Sequence, residues 1–306
     1  MSDIKLKHIS VGKNCVWAAG QADGTIFRLF GDAGLVGWAP DKSGKANVVA
    51  AVDWANAWCI NQKGEIWQVT NAENLDKGGT WTKIPTQSGQ ADAKTISVGA
   101  ADGTVWYAQT DGKLFRREGG AWQADPSGKA AVIAAVSKTQ IWCVNQAREI
   151  WHLESGAWTK IPTQSGKPDA GTISAGADGT VWYAQTDGAI FRREGNTWHS
   201  VDGRATVLAV NSKDDIWCVN SAGEVFYRLP DTWRKFVESS PNMESWIYMV
   251  RQGDHLLQIV RTQYQVQDAA VVNRIADEIA RLSKLANRDS LAIGQKLIMP
   301  PLNYRG

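Results

Sequence analysis

The 306-residue sequence lacks any long hydrophobic run. No stretch of about 18 apolar residues occurs, so the sequence predicts no transmembrane helix and no membrane insertion. The first eight residues, MSDIKLKH, contain nothing like the apolar core of a secretory signal. We therefore expect a soluble protein that is either cytoplasmic or exported without a classical signal peptide.

Residues that commonly carry catalysis are also scarce. The four histidines are scattered, and no Gly-x-Ser-x-Gly, His-Glu-x-x-His or Walker motif is present. Asp214 and Asp215 are adjacent acids in a predicted turn, where we expect them to be solvated. The sequence therefore predicts a protein that is not an enzyme and that uses no cofactor.

Cysteine is equally rare, with four residues in the chain. Neither a Cys-x-x-Cys pair nor a closely spaced histidine pair occurs, so the spacing of zinc ligands is missing and no metal site is predicted. We expect the four cysteines to be small, buried and reduced thiols.

Charge gives no sign of a nucleic-acid partner. The net charge is +2, acids and bases are interspersed, and no long basic run appears. A mixed surface of this kind argues against nucleic acid as the main partner.

Tryptophan, by contrast, is abundant, and most of its 16 copies fall at two repeated positions. The clearest repeat, Val105–Trp122, returns as Val181–Trp198. In each copy strand-like runs are separated by Asp-Gly and similar turns, a strong hairpin signal, and a further apolar run precedes them. Six such units, at a period of roughly 35–48 residues, predict a six-bladed β-propeller with four strands per blade. The repeated tryptophans are Trp17, Trp58, Trp106, Trp142, Trp182 and Trp217 in the second strands, and Trp38, Trp81, Trp122, Trp158, Trp198 and Trp233 in the fourth strands.

The blades alternate between two types. Blades 2, 4 and 6 carry Trp-Cys-(Ile/Val)-Asn from Trp58, Trp142 and Trp217, whereas the odd blades do not. The segment WTKIPTQSG at Trp81 also returns unchanged at Trp158. The mainly β ring should therefore have pseudo-threefold symmetry, built from two-blade units.

The repeated pattern resembles that of a known family. Ile-Ser-Val-Gly, then Val-Trp, then Gly-x-(Ile/Leu)-Phe-Arg-Arg and a closing Trp is similar to the tectonin repeat, over about residues 9–237. Tectonins, tachylectin-type lectins and fish egg lectins contain this repeat. The resemblance implies a propeller that binds glycans, with methylated or amino sugars or lipopolysaccharide as the expected ligands.

Candidate sugar-binding residues lie in loops that the propeller fold would gather on one face. The links 86–94, 125–130 and 163–171 are predicted to be long and to lie beside the turns after the second strands. Symmetry predicts up to three sites, the third degraded because only the short link 197–206 lies near it. The alternative is that these polar residues merely cap turns. The candidates are Asn61, Gln87, Ser88, Asn145, Gln164, Ser165 and Asn220.

The composition changes after the propeller. Residues 1–238 should form the propeller, the polar stretch 239–246 a linker, and residues 247–306 a small α+β domain. Apolar residues recur at helical spacing from Leu256 and again over Ala269–Ala286, with Asp268 as the N-cap. The second helix should be extended, with about 19 residues from Asp268 to Ala286.

This C-terminal segment resembles the LysM domain. The match covers Tyr248–Leu256, Ile259, Asn287 and Ile293–Pro300. LysM is a strand-helix-helix-strand unit that commonly binds N-acetylglucosamine polymers such as peptidoglycan or chitin. The extended second helix departs from the family and could crowd the groove or add a docking face. The groove implied by the resemblance contains Gly253, Asp254, His255, Leu291, Ala292 and Ile293.

Two functional hypotheses follow. The first is a non-catalytic lectin for microbial surface glycans, in which repeated sites would add avidity. The second is a protein–protein interaction scaffold, with the propeller as a platform and the LysM-like domain as an adaptor. LysM-like domains of phage tails and injection machines dock onto protein, so a protein partner would bind through this domain.

Overall fold

A computed structural model describes residues 4–13, 15–32, 35–72, 79–229, 232–236, 246–264 and 266–300. Within these residues the chain forms six four-stranded antiparallel sheets, each built from four consecutive strands. The predicted six-bladed propeller is therefore confirmed. The ring is closed without a strand exchanged between the first and last blades, because each blade uses four consecutive strands. The backbone N–H of Leu6 in blade 1 donates to the carbonyl of Gly223 in blade 6 at 2.9 Å and joins the two blades.

The strands of each blade run in chain order from the central channel outwards. Blade 1 contains β1 (Leu6–Gly12), β2 (Cys15–Gly20), β3 (Thr25–Asp32) and β4 (Leu35–Lys45). Blade 2 contains β5 (Val48–Ala51), β6 (Ala57–Ile60), β7 (Ile66–Thr70) and β8 (Thr80–Ile84). Blade 3 contains β9 (Ala93–Val98), β10 (Val105–Gln109), β11 (Lys113–Glu118) and β12 (Ala121–Lys129).

The second half of the ring repeats this pattern. Blade 4 contains β13 (Val132–Ala135), β14 (Gln140–Val144), β15 (Ile150–Glu154) and β16 (Ala157–Ile161). Blade 5 contains β17 (Ala170–Ala175), β18 (Val181–Gln185), β19 (Ala189–Glu194) and β20 (Thr197–Arg204). Blade 6 contains β21 (Val207–Ser212), β22 (Asp215–Val219), β23 (Val225–Leu229) and β24 (Thr232–Lys235).

The hydrophobic core lies between the blades rather than at the centre of the ring. Each pair of neighbouring blades shares one buried cluster of aliphatic and aromatic side chains. The aromatic residue of each third strand packs into one of these clusters, as the repeat predicts. Burial of large aromatic side chains is the main favourable contribution to such packing. These aromatic residues are Phe27, Trp67, Phe115, Trp151, Phe191 and Phe226.

Hydrogen bonds between inner strands show the pseudo-threefold symmetry directly. In each odd blade a serine hydroxyl accepts a hydrogen bond from a backbone N–H of the next even blade. The three bonds are Ala51 N to Ser10 Oγ at 3.0 Å, Ala135 N to Ser97 Oγ at 3.0 Å and Val210 N to Ser174 Oγ at 2.9 Å. The two-blade unit is therefore the repeating element of the ring.

The cysteines and the Asp-Gly pairs have the structural roles that we expect. All four cysteines are free and buried, and burial raises the pKa of each thiol to about 12. At the hairpin turns an aspartate accepts the backbone N–H two residues later, which is an Asx turn. Examples are Asp111 with Lys113 at 3.0 Å and Asp187 with Ala189 at 2.9 Å.

The prediction of a long link at residues 125–130 is wrong, because most of this segment continues β12 through a bulge. Leu114 pairs with Asp125, and then Lys113 pairs with Lys129. Asp125 Oδ1 closes the bulge by accepting the backbone N–H of Gly128 at 3.1 Å. A Cβ atom at Gly128 would lie 2.5 Å from the Trp158 ring, so glycine lets this bulge pack on the next blade.

A small α+β unit follows the propeller. It contains β25 (Trp246–Met249), α1 (Leu256–Tyr264), α2 (Ala269–Leu282) and β26 (Lys296–Met299), with β25 and β26 paired antiparallel. The order strand, helix, helix, strand is the predicted one. Its own core joins one face of the strand pair to both helices.

The second helix is shorter than predicted. It has 14 residues and ends at Leu282, rather than about 19 residues ending at Ala286. Asp268 is the N-cap, as expected, and accepts the backbone N–H of Val271 at 2.9 Å. At the other end Lys284 has a φ of +51°, and the N–H of Leu285 donates to the carbonyl of Ala280. This is a Schellman termination, with lysine at the position that usually favours glycine.

The C-terminal unit packs against the propeller at blades 6 and 1. Ile247 and Met249 of β25 belong to the same buried cluster as Trp38 and Trp217. Of the predicted linker 239–246, residues 239–245 lie outside the described part of the chain, and Trp246 begins β25. Among the described residues, no helix is long and apolar enough to cross a membrane.

Candidate functional site

Three junctions between an even blade and the following odd blade are equivalent by the pseudo-threefold symmetry. We call them the first junction (blades 2 and 3), the second junction (blades 4 and 5) and the third junction (blades 6 and 1). Each contains a second-strand tryptophan of the even blade and a fourth-strand tryptophan of the odd blade. These pairs are Trp58 with Trp122, Trp142 with Trp198, and Trp217 with Trp38.

At the first junction an arginine lies over both tryptophans. The guanidinium of Arg117 is 5.5 Å from the Trp58 ring centroid and 5.0 Å from that of Trp122. The two indole rings are 6.3 Å apart in an edge-to-face arrangement. Such contacts between a guanidinium and an indole ring are favourable and fix the direction of the guanidinium.

The second junction repeats this geometry. Arg193 lies 5.3 Å from the ring centroids of both Trp142 and Trp198. His152 stacks on Trp142 with ring centroids 4.0 Å apart. Burial lowers the pKa of His152 and of both arginines, Arg117 and Arg193. Sequence reasoning did not single out these arginines, although the repeated Arg-Arg pair of blades 3 and 5 was the available signal.

The link at the first junction is anchored to this aromatic cluster. Trp122 Nε1 donates to the carbonyl of Pro85 at 2.7 Å. The backbone N–H of Gln87 donates to the Tyr107 hydroxyl at 2.8 Å. Burial raises the pKa of Tyr107 to about 12, so this hydroxyl stays protonated at neutral pH. The loop is therefore held against the junction at two points.

Hydrogen bonds within the link use most of its polar side chains. Thr86 Oγ1 donates to the carbonyl of Gln90, and Ser88 Oγ donates to Asp92 Oδ2, both at 2.5 Å. Asp92 also accepts from Gln109 Nε2 at 2.9 Å. Ser88, a predicted sugar ligand, is thus already engaged within the loop.

The link at the second junction has the same set of bonds. Trp198 donates to Pro162, the Gln164 N–H donates to Tyr183, Thr163 donates to Lys167, Ser165 donates to Asp169, and Gln185 donates to Asp169. Ser165 is therefore engaged like Ser88. The side chains of Gln87 and Gln164 are exposed in both loops, and no hydrogen bond to another described residue engages them.

The predicted asparagines are part of a second repeated network, in the turns after the second strands. Asn61 Oδ1 accepts the backbone N–H groups of Lys63 and Glu65, each at 3.0 Å, and Asn61 Nδ2 donates to Glu65 at 2.6 Å. Lys83 Nζ lies 2.6 Å from the same glutamate. Asn145 and Asn220 make the corresponding bonds to Glu149 and Glu224. The asparagine side chains therefore shape these turns.

The glutamates of these turns are strongly acidic. Hydrogen bonds from a lysine and from the asparagine lower the pKa of each to about 2. The three glutamates are Glu65 with Lys83, Glu149 with Lys160, and Glu224 with Lys235.

The structure brings these turns next to the links, as predicted, at the first two junctions. The N–H of Ala93 donates to the carbonyl of Gly64, and that of Ala170 donates to Arg148, each at 3.1 Å. At the third junction the turn after Asn220 makes the corresponding bond, in which the N–H of Leu6 at the start of β1 donates to the carbonyl of Gly223. The segment 197–206 is not the short link that the sequence predicts, because β20 occupies 197–204 of it.

The third junction differs from the other two in its central residue. Leu29 pairs with Trp38, just as Arg117 pairs with Trp122, so leucine replaces arginine there. A cation is nevertheless present, since Lys296 Nζ of the C-terminal unit lies 5.3 Å from the Trp217 ring centroid. Phe236 packs edge-on to Trp38 at 5.7 Å.

The expectation that Asp214 and Asp215 are solvated holds for Asp214, whose side chain is 40% exposed, but is wrong for Asp215. Asp215 is paired with Lys296 at 2.8 Å, and their side chains are 21% and 13% exposed. Asp215 also accepts a hydrogen bond from Trp217 Nε1 at 3.0 Å. Asp214 is paired with Lys284. Both acids therefore bind lysines of the C-terminal unit.

Two backbone hydrogen bonds in the C-terminal unit join the segment after β25 to the segment before β26, near which the sequence predicts a groove. Val250 N–H donates to Gln295 at 2.9 Å, and Gly294 N–H donates to Val250 at 2.6 Å. Gly253, Asp254 and His255 follow the first of these segments, and Leu291, Ala292 and Ile293 precede the second. Asp254 accepts from the Tyr248 hydroxyl at 2.9 Å, and Ile293 is 61% exposed.

The described residues also form a cavity of about 340 Å³ between blade 6 and the C-terminal unit, bordered by Asp215, Trp217 and Lys284. A cavity of about 360 Å³ follows the central channel and is lined mainly by small and aliphatic side chains of the inner strands. No group of three His, Cys, Asp or Glu side chains in the described ranges could hold a metal ion.

Comparison with known proteins supports the fold. Residues 169–243, which include blades 5 and 6, match the Tectonin domain family. No curated protein matches the sequence. The chain is similar to the WD40 β-propeller domain of Doa1, with 12% identity, 81% of this chain and 87% of that chain covered, and a TM-score of 0.54. It is also similar to a protein of unknown function from Bacteroides thetaiotaomicron, with 10% identity, 76% and 69% coverage, and a TM-score of 0.53.

These similarities define a class of protein. At such identities the solved structures establish the fold alone. The propeller and the Tectonin match together indicate a propeller-type binding protein.

Proposed function

We propose that the protein is a non-catalytic lectin that binds microbial surface glycans at the first and second junctions. The duplicated link carries this proposal. In both copies every other polar side chain shared by the two loops is engaged in the same hydrogen bonds, whereas Gln87 and Gln164 face solvent. A polar group on a rigid loop is available for a ligand at a small entropic cost.

The chemistry of the two junctions fits a sugar. An amide side chain donates and accepts hydrogen bonds at once, as a ring of sugar hydroxyls requires. The tryptophan pair and its arginine lie against the same link through the bond between Trp122 and Pro85. The ligand classes that we propose are methylated or amino sugars and lipopolysaccharide. Two equivalent sites would add avidity on a repetitive surface.

The C-terminal unit would add a second specificity. We propose that the groove between Gly253–His255 and Leu291–Ile293 binds N-acetylglucosamine polymers of the peptidoglycan type. The exposed Ile293 offers an apolar contact for an acetyl group at the rim. Chitin oligomers and peptidoglycan fragments are the direct probes.

The test compares matched glutamine variants on a glycan array. Changing both Gln87 and Gln164 to alanine should weaken binding of the array ligand by about tenfold or more, since each site loses a hydrogen-bonding group. Gln90→Ala is the control, because Gln90 is exposed in the same loop but corresponds to Lys167 in the other copy. Melting temperatures should be unchanged in all three proteins. A blank array and a blank peptidoglycan pull-down with folded protein would contradict the proposal.

A protein-binding scaffold is the second candidate. The observation in its favour is again Ile293, a large apolar side chain exposed on a loop of a unit that is itself docked on the propeller. Purification from the source organism, followed by mass spectrometry, distinguishes the two functions. A stoichiometric protein partner lost in an Ile293→Ser variant, with no glycan signal, supports the scaffold.

A further inference from the structure

The third junction has the tryptophan pair of the other two, yet its surroundings are different in charge. The third and second residues before Trp217 are acidic, Asp214 and Asp215. The corresponding residues are Ala55 and Asn56 before Trp58, and Thr139 and Gln140 before Trp142. Only blade 6 of the three even blades therefore has carboxylates at this place.

Both carboxylates meet a lysine of the C-terminal unit. Asp214 binds Lys284, which lies two residues beyond α2 in the left-handed conformation. Asp215 binds Lys296, the first residue of β26, in a largely buried pair. The same Lys296 ammonium lies over the face of Trp217. One cation from the C-terminal unit thus lies over the even-blade tryptophan of the third junction, as Arg117 and Arg193 do at the other two junctions.

The apolar residues of the third junction also differ from those of the other two junctions. Leu29 is fully buried, in the position where the other two junctions carry a partly exposed arginine. Ile247 and Met249 alternate along β25 with Tyr248, which belongs to the separate core of the C-terminal unit. One face of the strand pair is therefore packed on the propeller and the other face on its own helices.

We infer that the third junction is a docking surface for the chain's own C-terminal unit, and that this unit is held in one fixed position rather than tethered loosely. The surface recognises one face of the strand pair, with Lys296 of β26 and Lys284 after α2, through two carboxylates, an indole face and a leucine. The other two junctions cannot accept the same unit, because neutral residues replace the acids and an arginine replaces the leucine. The inference does not depend on the proposed glycan binding.

The experiment cuts the full chain after it has folded. A specific protease site is placed in residues 239–245, and the cleaved protein is analysed by size-exclusion chromatography at low and high salt. We expect the two pieces to elute together at low salt and to separate more readily at high salt, because the contact includes ion pairs.

Variants then test the charge match. Asp215→Asn, which places the residue type of Asn56 there, should weaken association of the cleaved pieces at least about 30-fold, since a buried partner is lost. Lys284→Ala removes a more exposed pair and should weaken it about two- to fivefold. The exchange Asp215→Lys with Lys296→Asp should restore part of the loss. Glu118→Gln, which removes the ion pairs of Glu118 with Arg116 and Lys138 at blades 3 and 4, is the control and should have no effect.

Two results would overturn the inference. One is separation of the wild-type pieces at low salt while circular dichroism shows both to be folded. The other is association that neither Asp215→Asn nor Lys284→Ala changes, since the apolar contact alone would then hold the unit. Lys284→Ala alters an exposed side chain, so it remains informative if a substitution at Asp215 prevents folding.

Discussion

The first and third junctions contain equivalent tryptophan pairs but form different surfaces. At the first junction Arg117 covers the indoles and Gln87 projects from an anchored link. At the third junction Leu29 is buried, and Lys296 of the C-terminal unit lies over the Trp217 ring. Thus a few substitutions, chiefly leucine for arginine and acids for neutral residues, separate a surface open to solvent from one that holds a domain.

The largest loss of unfolding free energy should come from a substitution that makes the third junction resemble the first. Leu29→Arg would place a guanidinium in the buried cluster that contains Ile247, Met249 and Trp38, where Leu29 is fully buried. The unfolding free energy should fall by at least about 4 kcal/mol, because an unpaired buried charge is among the costliest changes. Urea denaturation followed by tryptophan fluorescence measures this. A loss below 1 kcal/mol would show that the junction is open.

Removing one charge of the buried pair should have the next largest effect. Asp215→Ala leaves the Lys296 ammonium without its partner, and we expect a loss of about 3 kcal/mol in the same urea experiment. The matched change Gln140→Ala at the second junction should cost no more than about 1 kcal/mol. Equal losses for the two variants would mean that the pair of Asp215 and Lys296 adds no stability beyond that of the neutral residue at the second junction.

A substitution that makes the first junction resemble the third should reduce the unfolding free energy only slightly. Arg117→Leu removes the contact of the guanidinium with Trp58 and Trp122 but keeps an apolar side chain over them. The expected loss of unfolding free energy is about 1 kcal/mol. Arg193→Leu should behave alike, because the geometry is the same. If the two losses differ severalfold, the pseudo-symmetry does not extend to the energetics.

A shared pH response should be the smallest effect and should not distinguish the junctions. Glu65, Glu149 and Glu224 have a pKa of about 2, below their ordinary value of 4.5. Their contribution to stability is therefore present above pH 4.5 and is lost as the pH falls towards 2. The melting temperature of a glutamine variant at any of the three should depend less on pH in this range. An unchanged pH profile in all three variants would show that these groups do not contribute.

Much of the propeller could be predicted because its signals are local. Asp-Gly turns, alternating apolar residues and the spacing of tryptophans each act within one blade, and six repeats reinforce them. The bulge at Gly128 was missed although Asp125, which closes it, is only three residues away; the Trp158 ring, which requires glycine there, lies 30 residues away in the sequence.

The candidate site was harder to predict than the fold. Gln87 and Gln164 were among the predicted residues, and their exposure agrees with that role without testing it. The roles of Ser88 and Asn61 within turns depend on partners that only the folded loop brings together. The ion pair of Lys296 with Asp215 joins residues 81 positions apart, and no local sequence pattern indicates such a pair.

The most direct test of the difference between the junctions is the accessibility of a single introduced thiol. The four native cysteines are buried, so they give little background. Leu29, Arg117 and Arg193 are replaced by cysteine one at a time, and the rate of maleimide labelling of the intact, folded chain is measured. We predict similar, fast labelling at positions 117 and 193, and labelling at position 29 that is slower by about a hundredfold or more, because it requires local opening. Labelling at position 29 as fast as at position 117 would contradict the account.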